Sequence, residues 1–160
     1  MSESKFKTMR HIETVRNYLD AVVAEFLRRG REHDQSKLES PEVEVFEEYT
    51  PKLRGMTYGT SEYWKCLAEM KPAIDHHNKT NRHHPEHFVH GVYGMNLFDL
   101  MEMLVDWRAA GMRHDDGDIY ESLRVNRERF GMSEELYYIL LRTINYLEDG
   151  HEIKHKARES

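Results

Sequence analysis

The sequence predicts an all-α fold, and three observations carry that expectation. Apolar residues recur at helical spacing through most long segments. Helix start signals punctuate the chain at Ser40-Pro41, Thr60-Ser61, Asn96 and Ser133. No strand of confident length, internal repeat, glycine-rich phosphate loop or Gly-x-Ser-x-Gly elbow is visible. The chain has 160 residues, 39% hydrophobic and 32% charged. That is enough for one globular domain with a moderate core. The domain is expected over residues 1–150, with about six or seven helices and a flexible C-terminal tail at 151–160.

In order, the first helix is expected from about Lys5 to Arg29, ending at Gly30, a favoured C-terminal breaker. Ile12, Val15, Leu19, Val22, Val23 and Phe26 form its inward stripe. His11 flanks that stripe, where it is either a core histidine with a satisfied hydrogen bond or a ligand. Ser40 as cap and Pro41 in the first turn start a second helix to about Arg54, interrupted at Thr50-Pro51. After a loop at Gly55–Gly59, Thr60 or Ser61 caps a third helix to about Asn78. Its stripe Tyr63, Leu67, Met70, Ile74 and His77 turns His77 inward rather than His76. Residues 78–88 read as a polar, irregular loop. It holds several imidazoles, and a metal or an anion would tie it down.

Asn96 caps the next helix, Leu97–Ala110, with Asp99 at its third position. Asp99, Glu102 and Asp106 share one face of it. That face is either solvated or needs partners, because buried charge is costly alone. A charged turn follows at Arg113–Asp118, without the spacing of an EF-hand. Two further helices are expected at about Ile119–Phe130 and Glu134–Glu148.

Composition excludes several functions. Net charge is −6 with histidines neutral, which argues against a nucleic-acid-binding surface. No apolar run approaches the roughly 20 residues that span a bilayer, and the start lacks an apolar signal core. The single Cys66 fits a reducing cytosol and a small buried thiol. A cytoplasmic protein is expected. Histidine stands out, with 11 in all, six of them between His76 and His90. A homodimer could use the aromatics Tyr137, Tyr138 and Tyr146, although core packing explains them as well.

The candidate chemistry centres on His33-Asp34. A neutral imidazole beside a carboxylate offers nitrogen and oxygen to one divalent cation. Neighbouring residues cannot share a regular helix face, but they can converge where the backbone turns, for example at a helix end. Around this pair stand His11, His76-His77, His83-His84 and Asp106.

This order, His, then His-Asp, then more His, then a distal Asp in an all-helical chain, resembles the HD-domain metal-dependent phosphohydrolase superfamily. His33-Asp34-Gln35-Ser36-Lys37 is similar to the His-Asp-x-Gly-Lys form of the HD-GYP branch, with Ser36 where that branch has glycine. His83-His84 and Leu104-Val105-Asp106 are similar to its His-His and distal Asp segments. Asn81-Arg82-His83-His84-Pro85-Glu86-His87 with Asn96-Leu97-Phe98-Asp99 resembles more closely a small uncharacterised HD-like family of phage and bacterial genomes. The resemblance covers roughly residues 32–129.

The resemblance implies an HD-like helical bundle in which His11, His33, Asp34, His77 and Asp106 bind metal. It implies one or two divalent ions, and mixed ligation suits Mn, Fe, Co, Ni or Zn. Asp34, Lys37, His83 and His84 would be catalytic, with Lys79, Asn81 and Arg82 binding substrate, although Lys79 and Arg82 are equally accounted for as solvated loop residues. Glu102 would orient a ligand histidine. The expected reaction is hydrolysis of a small phosphorylated substrate, most simply a nucleoside monophosphate, by a metal-activated hydroxide. Two alternatives stay open: a di-iron oxygenase, and a non-catalytic module that binds a nucleotide or is stabilised by metal.

Overall fold

The computed structural model describes residues 2–54, 56, 60–112 and 117–150. Among them the fold is all-α, with no strand. Its helices are α1 (Glu3–Glu32), α2 (Glu42–Arg54), α3 (Ser61–Thr80), α4 (Leu97–Gly111), α5 (Ile119–Phe130) and α6 (Glu134–Gly150). Short 3-10 turns lie at Gln35–Leu38, Pro85–His87 and Gly91–Gly94. Apart from Met56, the expected loop at Gly55–Gly59 lies outside the described residues. So do Arg113–Asp116 and the tail 151–160. The chain divides into two compact units, Met1–His77 and Asn78–Ser160, with the boundary inside α3.

In the first unit, α1 begins where Ser2 Oγ accepts from the Lys5 amide at 3.3 Å. It does not stop at Gly30. The helix runs on to Glu32, and the turn is made by Asp34, whose φ is +59°. The His33 amide closes the last turn on the Arg29 carbonyl at 2.7 Å. Left-handed backbone is uncommon for a residue with a Cβ, but Asp tolerates it better than most. Gly30 is therefore a helix-interior glycine. A glycine that does close a helix in left-handed backbone is Gly131, at φ +60° after α5.

The expected core stripe of α1 is also corrected. No residue of the helix is buried: Leu19 is 58% exposed and Val23 56%. Only near its end, at Glu25, Phe26 and Arg29, is it half-buried. Periodicity specifies an amphipathic helix, but burial needs an apolar partner surface, which sequence spacing cannot supply. Ion pairs one turn apart support it, such as Lys7–Glu3 at 2.7 Å and Arg29–Glu25 at 2.8 Å.

The start of α2 differs by a residue from the sequence expectation. It opens with the Glu42 and Val43 amides both donating to the Glu39 carbonyl at 3.0 Å. The helix continues through Pro51, just as α3 continues through Pro72. A proline removes one helical donor, and both helices accommodate that loss without breaking. Thr60 Oγ1 caps α3 by accepting from the Tyr63 amide at 3.2 Å. Cys66, Met70, Ala73 and His77 are its buried positions.

The second unit holds an apolar core from α4, α5 and α6. Leu100, Met103, Leu104, Ile119, Leu123, Leu140 and Ile144 pack together there, with Val92 and Met132. Asn96 and Asp99 form a reciprocal capping box at the start of α4, both bonds at 3.0 Å. Asp118 caps α5 and Ser133 caps α6 through the Tyr120 and Leu136 amides, at 2.8 and 3.2 Å. The shared carboxylate face of α4 is not its solvated one. Asp99 is fully buried, while Glu102 and Asp106 are half-buried.

Candidate metal centre

The first unit gathers its donors at the end of α1. The left-handed turn at Asp34 reverses the chain into the Gln35–Leu38 turn. Two neighbouring side chains can then converge, and His33 Nε2 lies 3.7 Å from Asp34 Oδ2. Lys37 Nζ sits 2.6 Å from the same oxygen and 5.7 Å from the Phe46 ring centroid.

His77 reaches Asp34 from α3. Its ring is buried, and its Nε2 lies 3.3 Å from Asp34 Oδ1. Its Nδ1 is 2.9 Å from Oε2 of Glu42, a carboxylate with no exposed surface. His76 Nδ1 is 2.8 Å from the other oxygen of Glu42, and Ser36 Oγ donates to Oε2 at 3.0 Å. The Phe46 ring meets the His77 ring edge-on at 6.3 Å. Burial pushes the Glu42 carboxyl up. The hydrogen bonds from His76, His77 and Ser36 outweigh it and hold the group below the usual carboxylate range. Glu42 is then an acceptor only, so the His77 bond requires a proton on Nδ1. In the neutral ring, Nε2 presents its lone pair towards Asp34.

Two ligands about 2.1 Å from one ion stand roughly 3.0–3.4 Å apart in octahedral or tetrahedral geometry. The 3.3 Å between His77 Nε2 and Asp34 Oδ1 falls within that range. The donor types, one imidazole and one carboxylate, suit a first-row divalent ion.

The second unit carries its own donors. His83 is buried, and its Nδ1 lies 3.2 Å from Glu102 Oε1 on α4. A carboxylate at that distance can fix the ring's orientation. The His83 and His84 rings stand 4.2 Å apart, and ligand nitrogens of the two lie within 4.8 Å of each other. Each unit thus carries histidine and carboxylate side chains of the kinds that could bind a metal ion.

The remaining expected residues fall as follows. His11 is exposed, 22 residues before His33 on the same helix, hence about 33 Å away at 1.5 Å per residue. The structure does not bring it to His33 and Asp34, because α1 is one unbroken rod. Arg82 has protein partners. Its guanidinium forks onto buried Asp99 at 3.1 and 2.9 Å and lies 4.9 Å from the Phe88 ring. Lys79 is exposed, and its carbonyl accepts from His87 Nδ1 at 2.5 Å. Asn81 is half-buried, and its carbonyl accepts from the His84 amide at 3.2 Å. His76 is half-exposed where His77 is buried. Sequence reasoning missed Glu42. It read as an acid in a helix's first turn, and only tertiary placement buries it.

No helix among the described residues is long and apolar enough to cross a membrane. No curated protein and no solved structure matches the chain. A family of unknown function (DUF5662) matches residues 1–149, and the chain belongs to that family.

Proposed function

We propose that this protein is a metal-dependent phosphohydrolase acting on a small phosphate ester, most simply a nucleoside monophosphate. The observation that supports it best is the Asp34–His77 pair, an acceptor oxygen and an imidazole nitrogen at ligand-edge distance with Glu42 behind the ring. Asp34 and His77 are the assigned ligands, with His33 beside them. His83, His84 and Asp106 enter through the sequence resemblance to HD-domain enzymes.

A divalent ion held there would acidify a bound water and polarise a phosphoryl oxygen. Lys37 supplies the positive charge. Its ammonium stands at Asp34 and can move to a phosphate oxygen, where a charge-assisted bond stabilises developing negative charge. Glu42 and Ser36 keep the His77 ring from turning. The acidic net charge favours a small substrate over a nucleic acid.

The test is a phosphate-release screen over nucleotides and simple phosphate esters with Mn²⁺, Co²⁺, Ni²⁺ and Zn²⁺, run beside Asp34→Ala. The expected result is release by the wild type, lost in a variant that keeps its helicity. Metal-loaded protein that releases phosphate from nothing in the panel would count against the proposal. Two bound irons with oxygen uptake would replace it with an oxygenase, and tight nucleotide binding without turnover with a binding module.

A further inference from the structure

Glu42 is a fully buried carboxylate that neither the sequence pattern nor the candidate ligand set accounts for. Its two oxygens are divided between two neighbouring imidazoles of α3: Oε1 faces His76 Nδ1 at 2.8 Å and Oε2 faces His77 Nδ1 at 2.9 Å. Adjacent residues on a helix point about 100° apart, so a single acceptor serves both only from a fixed place beside α3. That place is secured by Ser36, whose hydroxyl donates to Oε2 and stands 3.2 Å from His77 Nδ1. Ser36 belongs to the 3-10 turn that Asp34 opens. Asp34, Ser36, Glu42 and His77 therefore close a ring of contacts in which Asp34 and Glu42 take opposite nitrogens of one imidazole.

We infer that Glu42 is the positioning residue of the metal centre: it holds His77 as the Nδ1–H tautomer and so presents Nε2 as a ligand beside Asp34. Nearly every histidine that binds a metal uses its second nitrogen to donate to such a partner, and removing the partner weakens metal binding about 10- to 100-fold. A buried carboxylate with three donors around it is an expensive group to keep, which a purely structural hydrogen bond to a histidine would not require. The inference rests on the reading of Asp34 and His77 as ligands. The tautomer of His77 can be measured without any metal.

The experiment uses Glu42→Gln. A carboxamide has one acceptor oxygen and one donor nitrogen in place of two acceptors. Its single acceptor oxygen cannot stand in both places where His76 and His77 each find a carboxylate oxygen. Nitrogen-15 spectra of the histidine rings in metal-free protein report the tautomer, and calorimetric titration with Zn²⁺ alone reports affinity. The wild type should show His77 with the proton on Nδ1. Glu42→Gln should weaken Zn²⁺ binding about 10- to 100-fold and move His77 towards the Nε2–H form. His76→Asn leaves the Glu42–His77 bond in place and should bind Zn²⁺ within about twofold of the wild type. Should Glu42→Gln fail to fold, Ser36→Ala removes one of Glu42's donors and should weaken Zn²⁺ binding several-fold.

An unchanged His77 tautomer and Zn²⁺ affinity in Glu42→Gln overturns the role given to Glu42. So does a loss in His76→Asn as large as that in Glu42→Gln. Wild-type protein that takes up no Zn²⁺ overturns the metal reading instead, while the ring spectra still decide whether Glu42 fixes His77.

Discussion

Asp34 Oδ1 and His77 Nε2 stand 3.3 Å apart, one at the end of the first helix and the other near the end of the third. Forty-three positions separate them in sequence. The backbone feature that makes the meeting work is the left-handed turn at Asp34. Strained or rarely used backbone at a chemically equipped residue is a pointer to function.

The turn makes a prediction about which substitutions the site tolerates. Asparagine also adopts left-handed backbone readily, so Asp34→Asn should fold like the wild type and lose only metal-dependent properties. Asp34→Val places a β-branched side chain at φ +59° and should cost at least about 1–2 kcal/mol. Urea unfolding of the two variants checks this.

Gly30 gives a test by sign. It lies inside α1, and a Cβ added to it meets nothing within 4 Å. Gly30→Ala should therefore stabilise the protein by about 0.5–1 kcal/mol. Had Gly30 been the left-handed terminator its sequence position suggests, the same change would destabilise by a similar amount. Thermal unfolding distinguishes the two.

The two apolar stripes should behave oppositely. Leu19→Ser on α1 removes a side chain that is 58% exposed and should change stability by no more than about 0.5 kcal/mol. Leu123→Ala on α5 removes one that is fully buried in the core of the second unit and should cost about 2–5 kcal/mol. Equal losses in denaturation experiments would contradict the exposure of α1.

Arg82 separates a structural from a substrate-binding role. Its removal leaves buried Asp99 with the Asn96 amide but without the guanidinium. Arg82→Ala should cost about 1–3 kcal/mol. Metal affinity should stay unchanged, and so should KM for any ester hydrolysed. A raised KM with unchanged stability would reverse the assignment.

One pH effect follows from α1. Bonds to Arg28 and Arg29 lower the Glu25 carboxyl from 4.5 to about 2. A carboxylate with a depressed folded-state pKa contributes its full support above the unfolded value. That support is lost as the pH falls from 4.5 towards about 2. Amide exchange at the C-terminal half of α1 should accelerate over that window, and Glu25→Gln should remove the pH dependence.

The helices were legible because caps and periodicity are local. Asn96 with Asp99 announced α4, and its box is present as the sequence implied. The convergence of His33 and Asp34 at a helix end was legible for the same reason, since neighbours meet only where the chain turns. The inward choice of His77 over His76 followed from a stripe of helical spacing. What could not be read was anything that depends on a distant surface. The α1 stripe carries the right periodicity and yet stays exposed. Arg82 looked available until Asp99 was found opposite it. Glu42 had no sequence signal, because its burial comes from α3 and Ser36 rather than from its neighbours.

The most direct measurement is an anomalous difference map from crystals grown with Co²⁺ or Zn²⁺. The account predicts a peak about 2.0–2.3 Å from both Asp34 Oδ1 and His77 Nε2, and none there in Asp34→Asn crystals. A metal-soaked crystal with no peak between those two atoms would contradict it.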